Sequence, residues 1–382
     1  MFLFCGQVRF MTLLSLVISL ICASTPVQTK AQRSFHMKGA PSGQKHKNAA
    51  PAAKREPFLP PWAAGTLAIV PGLPVSGTGL ALRGDFDGAR RLLFLELAGL
   101  GFFLAGGVPL LLTNSSRYLI GPSLALVVTG TGLYLLSKYL DLMGVFAPKG
   151  VASRAPAPRL VTGAMGVRYV HDPLFDYAWF STLALGVEYG RLFGEEQLDW
   201  ALDHRNWRSR TLAGVRFPSP ILPEDVQLRL LGGFTFHSYS PERFTVMTFE
   251  GQAGLRMSGG WLLPSARGTY FDLSLGYGVE YVKWPGDASR FAEPHGLLLA
   301  RFALGVYLGK GRGEIELYYN HRHDTFAGGI QFQVSGDGPA GFAGVRARYS
   351  LTSWLGLFGD VAWGNNFTAL MGVTLSGPKV QP

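Results

Sequence analysis

A histidine and two serines lie close together in the segment FTFHSYS, residues 234–240, where the base and the nucleophile of an esterase could be held. An imidazole within hydrogen-bond reach of a hydroxyl can activate that hydroxyl for attack on an ester. On an extended strand, however, side chains alternate between the two faces, so His237 and Ser240 point in opposite directions. The segment therefore predicts this chemistry only if the strand bulges between them.

A second candidate is the segment YYNHRHD, which contains His321, His323 and Asp324 near the end of an apolar segment. Imidazole and carboxylate groups are zinc ligands, but a site needs at least three of them, and a third ligand is not evident. An interfacial histidine pair followed by a turn aspartate fits the same residues. No phosphate loop, dinucleotide fingerprint, kinase signature or zinc finger is present. We predict no catalytic residue, no metal site and no cofactor, and therefore a protein that is not an enzyme.

Charged side chains recur singly within apolar segments that alternate one residue at a time. In GTYFDLSLGYGVEYVKW, residues 268–284, one row is aromatic and aliphatic, and the other mixes acids with serine and glycine. Rows that combine arginine, acids and small residues are typical of a crowded, wet barrel lumen, with the apolar rows facing lipid. The predicted lumen-lining residues are Arg168, Glu188, Arg229, Glu250, Asp272, Glu280, Arg301, Glu316, Arg346 and Arg348, and the same rows contain Arg216, Arg256, Arg322, Glu314 and Asp360.

These rows require strands that close on themselves, because an open sheet edge in hydrocarbon leaves backbone groups unpaired. About a dozen segments of this kind, each separated by turn residues, follow from Arg159 onward. We predict an antiparallel transmembrane β-barrel over residues 159–377, with about 12 strands and 10–14 possible, and longer connections near 192–207, 258–267 and 285–294. Tryptophans expected at the two membrane interfaces are Trp179, Trp284, Trp354 and Trp363.

The N-terminal part of the chain has a different composition. Residues 1–31 contain a short apolar run after a lone arginine, which predicts a cleaved signal peptide. Residues 32–60 predict a disordered basic linker, and residues 61–147 a hydrophobic α-helical hairpin, since two segments are each long enough to span a bilayer. Glu96 lies inside the first span and should face a partner helix or a polar pocket, with Lys138 or the Arg90–Arg91 pair as its counter-ion.

The overall composition supports a membrane protein built from strands. Charged residues make up 16% of the 382 residues and aromatic residues 13%, and there are 50 glycines. The net charge of +10 does not predict nucleic-acid binding, because the arginines are spread singly through apolar segments. Membrane lipids, including anionic head groups, are the predicted partners.

The segments GTYFDLSLGYGVEYVKW, HGLLLARFALGVYLG and FTALMGVTLSG resemble the outer-membrane β-barrel proteins of Gram-negative bacteria. The resemblance is architectural. It implies a location in the outer membrane, delivery by the barrel-assembly machinery, and a role as a structural barrel or a small-solute pore.

Two alternatives stay open. FTFHSYS loosely resembles the histidine–serine pair of the outer-membrane phospholipases and lipid A deacylases, which implies a lipid-modifying hydrolase. The helical hairpin could also anchor the chain in the inner membrane, with the β half as a periplasmic domain. The oligomeric state is not determined by the sequence.

Overall fold

Twelve antiparallel strands form one closed barrel within the part of the chain that the computed structural model describes. That part comprises residues 75–114, 119–147, 155–156, 158–172, 178–202, 205–218, 226–239, 244–284, 294–322, 324–327 and 341–378. Each strand pairs with its neighbours in the chain, and β1 closes the barrel against β12. The prediction of a β-barrel of about 12 strands preceded by hydrophobic helices is confirmed. The predicted signal peptide and linker lie outside the described residues.

The strands are β1 (Val161–His171), β2 (Trp179–Tyr189), β3 (Leu192–Ala201), β4 (Trp207–Pro218), β5 (Val226–Tyr239), β6 (Phe244–Ser258), β7 (Thr269–Lys283), β8 (His295–Leu308), β9 (Gly313–His321), β10 (Phe342–Ser350), β11 (Leu355–Trp363) and β12 (Phe367–Ser376). We call the end where β1 begins and β12 ends the terminal mouth. The opposite end, where β9 leads into β10, is the far mouth. The four tryptophans expected at the interfaces lie at or next to strand ends, and each is exposed.

The predicted connection at residues 192–207 is wrong, because most of this segment is strand β3. Its outward row is Leu192, Gly194, Glu196, Leu198 and Trp200, as the pairing with β2 shows. A glycine and an acid interrupt the apolar alternation there, and the strand could not be recognised from its pattern. Pairing with both neighbours nevertheless makes the segment a full member of the barrel.

The N-terminal helices form the predicted hairpin. They are α1 (Thr78–Leu82), α2 (Phe86–Leu112) and α3 (Ile120–Phe146), followed within the β6–β7 turn by α4 (Gly259–Leu262) and a 3-10 turn (Pro264–Ala266). Both long helices contain 27 residues, which corresponds to about 40 Å. Each is long and apolar enough to cross a membrane by length and composition. Asp85 caps α2, since its Oδ1 accepts a hydrogen bond from the Gly88 amide at 2.9 Å.

Helices α2 and α3 pack backbone to backbone at glycines. A Cβ on Gly130 would lie 2.4 Å from the Phe103 amide nitrogen and 2.5 Å from the Gly99 carbonyl oxygen. A Cβ on Gly101, in contrast, would meet nothing within 4 Å. Small residues let the two backbones approach closely, and Gly99, Gly106 and Gly130 form the contact, whereas Gly101 does not.

We expect Gly130→Val to separate the two helices, because the added side chain would overlap the backbone of α2. Overpacking of this kind costs about 1–3 kcal/mol, and more where only backbone can move. Gly101→Val is the matched control and should leave stability unchanged. The measurement is the loss of helix content by circular dichroism during titration with sodium dodecyl sulfate. Equal midpoints for both variants would contradict the packing.

The hairpin lies against the outside of the barrel. Phe302 of β8 is 7% exposed and packs beside Gly132, and the Tyr139 hydroxyl donates to the Gly305 carbonyl oxygen at 3.0 Å. Leu273 and Leu275 of β7 are each 2% exposed within the same hydrophobic cluster. The expectation that every apolar row faces lipid is therefore wrong for this side of the barrel, because α3 covers it.

The outer surface of the hairpin continues the apolar surface of the barrel. Phe94, Leu97 and Leu104 of α2 are between 50% and 59% exposed, and they point away from the barrel wall. On the opposite side of the barrel, Met165, Leu183 and the other outward residues of β1 and β2 are similarly exposed. Hairpin and barrel thus share a single belt of exposed apolar side chains.

Candidate functional site in the lumen

The polar rows of the strands face into the barrel, as ion pairs between non-adjacent strands demonstrate. Arg210 of β4 contacts Glu250 of β6, with 2.7 Å between Nη2 and Oε1. Arg256 of β6 reaches Glu314 of β9, with 3.0 Å between Nη2 and Oε1. Side chains of strands that are not neighbours can meet only inside a closed barrel.

Most of the predicted lumen-lining residues are paired. The predicted residues with an oppositely charged partner are Arg168 with Asp199 (3.3 Å), Glu188 with Arg216 (2.7 Å), Glu250 with Arg210 (2.7 Å), Asp272 with Arg229 (2.6 Å) and Arg301 (3.6 Å), Glu316 with Arg301 (2.5 Å), and Arg346 with Asp360 (2.7 Å). Glu280 is 8% exposed on β7. Arg348 is exposed, and within the described residues it forms no hydrogen bond or ion pair. Pairing of this density fills the lumen rather than leaving a wide bore.

Burial differs between the two halves of the lumen. Near the far mouth, Phe180, Asp199 and Thr248 are 0% exposed. Near the terminal mouth, the side chains of Glu188 and Arg216 are each 30% exposed. On the β7 side of the same mouth, the inward residues Tyr270 and Asp272 are each 2% exposed. The lumen is therefore a vestibule that opens at the terminal mouth beside β2 and β4 and is sealed toward the far mouth.

The seal is formed by the first residues of the β9–β10 connection, Arg322 and Asp324–Ala327, which we call the plug. Arg322 forms two bonds of 2.6 Å to the two carboxylate oxygens of Asp324. The same guanidinium lies 2.9 Å from Oε2 of Glu250 on β6. Arg322 thus ties the plug to the barrel wall through an ion pair that is almost completely buried.

Phe326 completes the plug. Its ring lies 4.6 Å from that of Phe180 and 5.2 Å from that of His237, measured between centroids. The guanidinium groups of Arg168 and Arg208 lie 5.5 and 5.8 Å from the same ring, which places cations over an aromatic face. Phe326 is 4% exposed, so the plug buries an aromatic side chain among the lumen arginines.

The carboxyl of Asp324 stays ionised in this setting. Burial by itself would raise its pKa, but the adjacent Arg322 guanidinium outweighs burial and holds the pKa of Asp324 below its ordinary value. A carboxyl with a lowered pKa contributes stability that is lost only as the pH falls through that lowered value. The plug should therefore remain in place through mildly acidic pH.

The candidate esterase residues are not assembled into an esterase site in the described part of the chain. His237 points into the lumen, and its Nε2 lies 2.9 Å from Oδ1 of Asn206. Ser238 pairs with Trp207 on the outward row, and Ser240 lies outside the described residues. The partner of His237 is thus an amide and not a serine hydroxyl.

The second candidate site is likewise incomplete where it is described. His321 is on the outward row of β9, and its Nδ1 lies 3.1 Å from the Tyr319 hydroxyl. His323 lies outside the described residues. No group of three or more potential metal ligands occurs among the residues that are described. Asp324, interpreted from the sequence as a turn residue, belongs to the plug.

Sequence reasoning missed several lumen residues, namely Asp199, Asn206, Arg208, Arg210, Asp324 and Phe326. The first four lie on β3 and β4 or just before β4, and the broken alternation of β3 hid their strand. A charged residue in the middle of a connection carries no signal that it folds back into a barrel. The alternation of Phe193, Glu195, Gln197 and Asp199 was the one pattern that could have indicated them.

The outer wall also carries a polar cluster on β3 and β4. Glu196 accepts hydrogen bonds from the Ser209 hydroxyl, at 2.7 Å, and from the Thr211 hydroxyl, all three on outward rows of β3 and β4. A 230 Å³ groove beside it is lined mainly by apolar residues such as Met165 and Leu185. Two hydroxyl donors partly replace the water that a carboxylate loses on an apolar wall.

Comparison with known proteins finds only distant similarities to solved barrels. No family model and no curated protein matches the chain. The barrel is similar to the KdgM porin, solved in complex with disordered oligogalacturonate, at 9% identity over 57% of this chain and 99% of the porin, with a TM-score of 0.37. The translocator domain of autotransporter NalP from Neisseria meningitidis matches at 11% identity over 57% and 88% of the two chains (TM-score 0.35). Outer membrane phospholipase A from Escherichia coli matches at 11% identity over 58% and 92% (TM-score 0.33).

Proposed function

We propose that this protein is an outer-membrane β-barrel of the bacterial envelope whose resting lumen is closed, and that it admits small solutes only when the plug leaves. The observation that carries the proposal is the combination of a continuous exposed apolar belt outside with a charged, one-ended vestibule inside. A soluble β-domain would not expose such a belt to water. If the plug never leaves, the same protein has a structural role only.

The vestibule has the chemistry of a small-solute path. Its walls carry both charge signs, with exposed Arg348 and the half-exposed Glu188–Arg216 pair near the terminal mouth. Rings of mixed charge pass small polar solutes and set ion preference by the balance of the two signs. The plug blocks this path with a buried aromatic ring and a buried ion pair.

Lipid contacts at the terminal mouth form part of the proposal. The exposed cations Arg191, Arg267, Lys310 and Arg312 lie in the described turns at this mouth. Lys and Arg near a membrane surface attract anionic head groups. Residues 219–225 of the same mouth lie outside the described part of the chain.

The location is tested by separating inner from outer membranes of cells that make the full-length protein. We expect the protein in the outer-membrane fraction, as delivery by the barrel-assembly machinery implies. Recovery in the inner membrane would instead support the alternative in which α2 and α3 halt translocation and act as an anchor.

Single-channel recording in planar bilayers tests the lumen. We expect the wild-type protein to be closed for most of the recording, with rare openings. Flat traces from both the wild type and a plug variant would leave only the structural role. Phospholipid hydrolysis by the purified protein that disappears in His237→Ala would replace the proposal with the hydrolase alternative.

A further inference from the structure

We propose that the sealed half of the lumen contains a binding site for a small oxyanion, such as a carboxylate, formed by Arg208 and Asn206. The site does not depend on whether the barrel conducts, because it lies beside the plug, with the Arg208 guanidinium 5.8 Å from the Phe326 ring. Its ligand class follows from the hydrogen-bond donors that the protein leaves without an acceptor.

Arg208 provides the main donors. It lies on the inward row of β4 and is 4% exposed. Its Nη1 is 3.8 Å from Oδ2 of Asp199, which is longer than a hydrogen bond. Its Nε and Nη2 are buried and bond to no acceptor among the described residues. These two atoms form one edge of the guanidinium, whose parallel N–H groups match the two oxygens of an oxyanion.

Asn206 adds a third donor on the same face of the chain. It precedes Arg208 by two residues and is 0% exposed. Its Oδ1 lies 2.9 Å from Nε2 of His237, and a carbonyl oxygen accepts there only from an Nε2–H group. This bond fixes the orientation of the amide. Its Nδ2 is then a buried donor with no acceptor in the described structure.

The residues around Arg208 and Asn206 favour a ligand that accepts hydrogen bonds. Further buried polar atoms without a hydrogen-bond partner lie on the neighbouring inward positions, and they are Arg210 Nε, Thr235 Oγ1, Thr248 Oγ1 and Glu250 Oε2. The last is an acceptor, and the Arg322 guanidinium lies 2.9 Å from it. Buried donors are nearly always paired in folded proteins, so a cluster of unpaired ones indicates a bound group that supplies oxygen atoms. The nearby arginines are balanced by Asp199, Glu250, Glu280 and Asp324. Specificity should therefore come from donor geometry and not from net charge.

The test uses sodium formate as the probe, with sodium chloride keeping the ionic strength constant. The full-length protein is refolded in detergent at each formate concentration, so that the anion can enter before the plug closes. The measurements are the Tm and the calorimetric binding isotherm. We expect the Tm to rise with formate and to saturate, because a ligand that binds only the folded state stabilises it.

Two variants remove the site in different ways. Asn206→Asp keeps an oxygen for His237 but replaces the donor with a carboxylate oxygen, and it should abolish formate binding. Arg208→Lys keeps the charge but loses the paired N–H groups, and it should weaken binding at least about tenfold. Arg216→Lys is the matched control at the terminal mouth and should bind formate like the wild type.

The outcomes separate clearly. Saturable binding in the wild type and in Arg216→Lys, lost in Asn206→Asp, supports the site, and either site variant suffices if the other does not fold. Absence of a saturable response, or an equal response in all four proteins, overturns it, since water would then fill the space.

Discussion

Arg322→Ala is expected to convert the closed barrel into a conducting one. The substitution removes the cation that joins Asp324 of the plug to Glu250 of the wall, at 2.6 and 2.9 Å. A buried carboxylate that loses its partner costs about 3–5 kcal/mol, and Asp324 can avoid this cost by moving into water. The plug would leave with it, together with Phe326.

The size of the effect follows from the same energy. If the substitution destabilises the closed state by about 3 kcal/mol and leaves the open state unchanged, the ratio of open to closed barrels rises by about two orders of magnitude. The measurement is the open probability in planar bilayers, supported by the swelling rate of liposomes in a small sugar. Arg322→Lys keeps the charge without the paired bonds to Asp324 and should be intermediate.

Arg348→Ala is the matched control for this prediction. Both arginines lie within the barrel, Arg322 in the plug and Arg348 on the inward row of β10, but Arg348 is exposed in the vestibule and has no ion pair among the described residues. Its removal should leave the open probability near that of the wild type. If Arg322→Ala stays as closed as Arg348→Ala, the plug is not held by its ion pair.

Asp141→Ala is expected to release the segment that precedes α2. The Asp141 carboxylate accepts hydrogen bonds from three backbone amides, those of Gly77 (3.0 Å), Gly79 (3.3 Å) and Leu80 (3.0 Å). Hydrogen bonds to a charged group contribute about 1.5–3 kcal/mol each, so the loss should be at least about 3 kcal/mol. Alanine offers no acceptor, and the three buried amides would be left unpaired.

Limited proteolysis of the detergent-solubilised protein measures this release. We expect cleavage after Arg83 to accelerate strongly in Asp141→Ala and moderately in Asp141→Asn, which keeps one carbonyl oxygen. Asp87→Ala is the control, because its contact with Arg90 is 3.9 Å long and both side chains are largely exposed. Equal cleavage rates in the Asp141 and Asp87 variants would show that the carboxylate does not hold the segment.

A second buried acid between the helices, Glu96, pairs with Lys138. The sequence predicted that this acid faces a partner helix or polar pocket, and Oε1 lies 2.7 Å from Nζ of Lys138 on α3. Its Oε2 accepts from the Ser76 amide at 2.5 Å. Of the two counter-ions considered from the sequence, Lys138 is the one in contact, because it faces α2 about two turns from Gly130.

What the sequence determined by itself was the alternation of side chains. Successive side chains of a strand point to opposite faces, so every second residue shares a face. The row on which Arg301, Arg346 or Asp272 lies therefore follows from its position along the strand. Closure followed as well, because an apolar strand in a membrane has no other way to pair its backbone. Strand β3 escaped detection because Glu196 and Gly194 interrupt the apolar row.

Tertiary structure alone decided how the closed barrel is filled and covered. That α3 lies over β7 and β8, with α2 packed on α3, depends on shape, since the outward rows of covered and exposed strands have the same apolar composition. The sequence already assigns Arg322 to a lumen-facing row, but its contact with Glu250, 72 residues away along the chain, and the contact of Phe326 with Phe180 depend on the closed barrel. No local pattern encodes such contacts, because their energy arises only when the closed barrel brings the partners together.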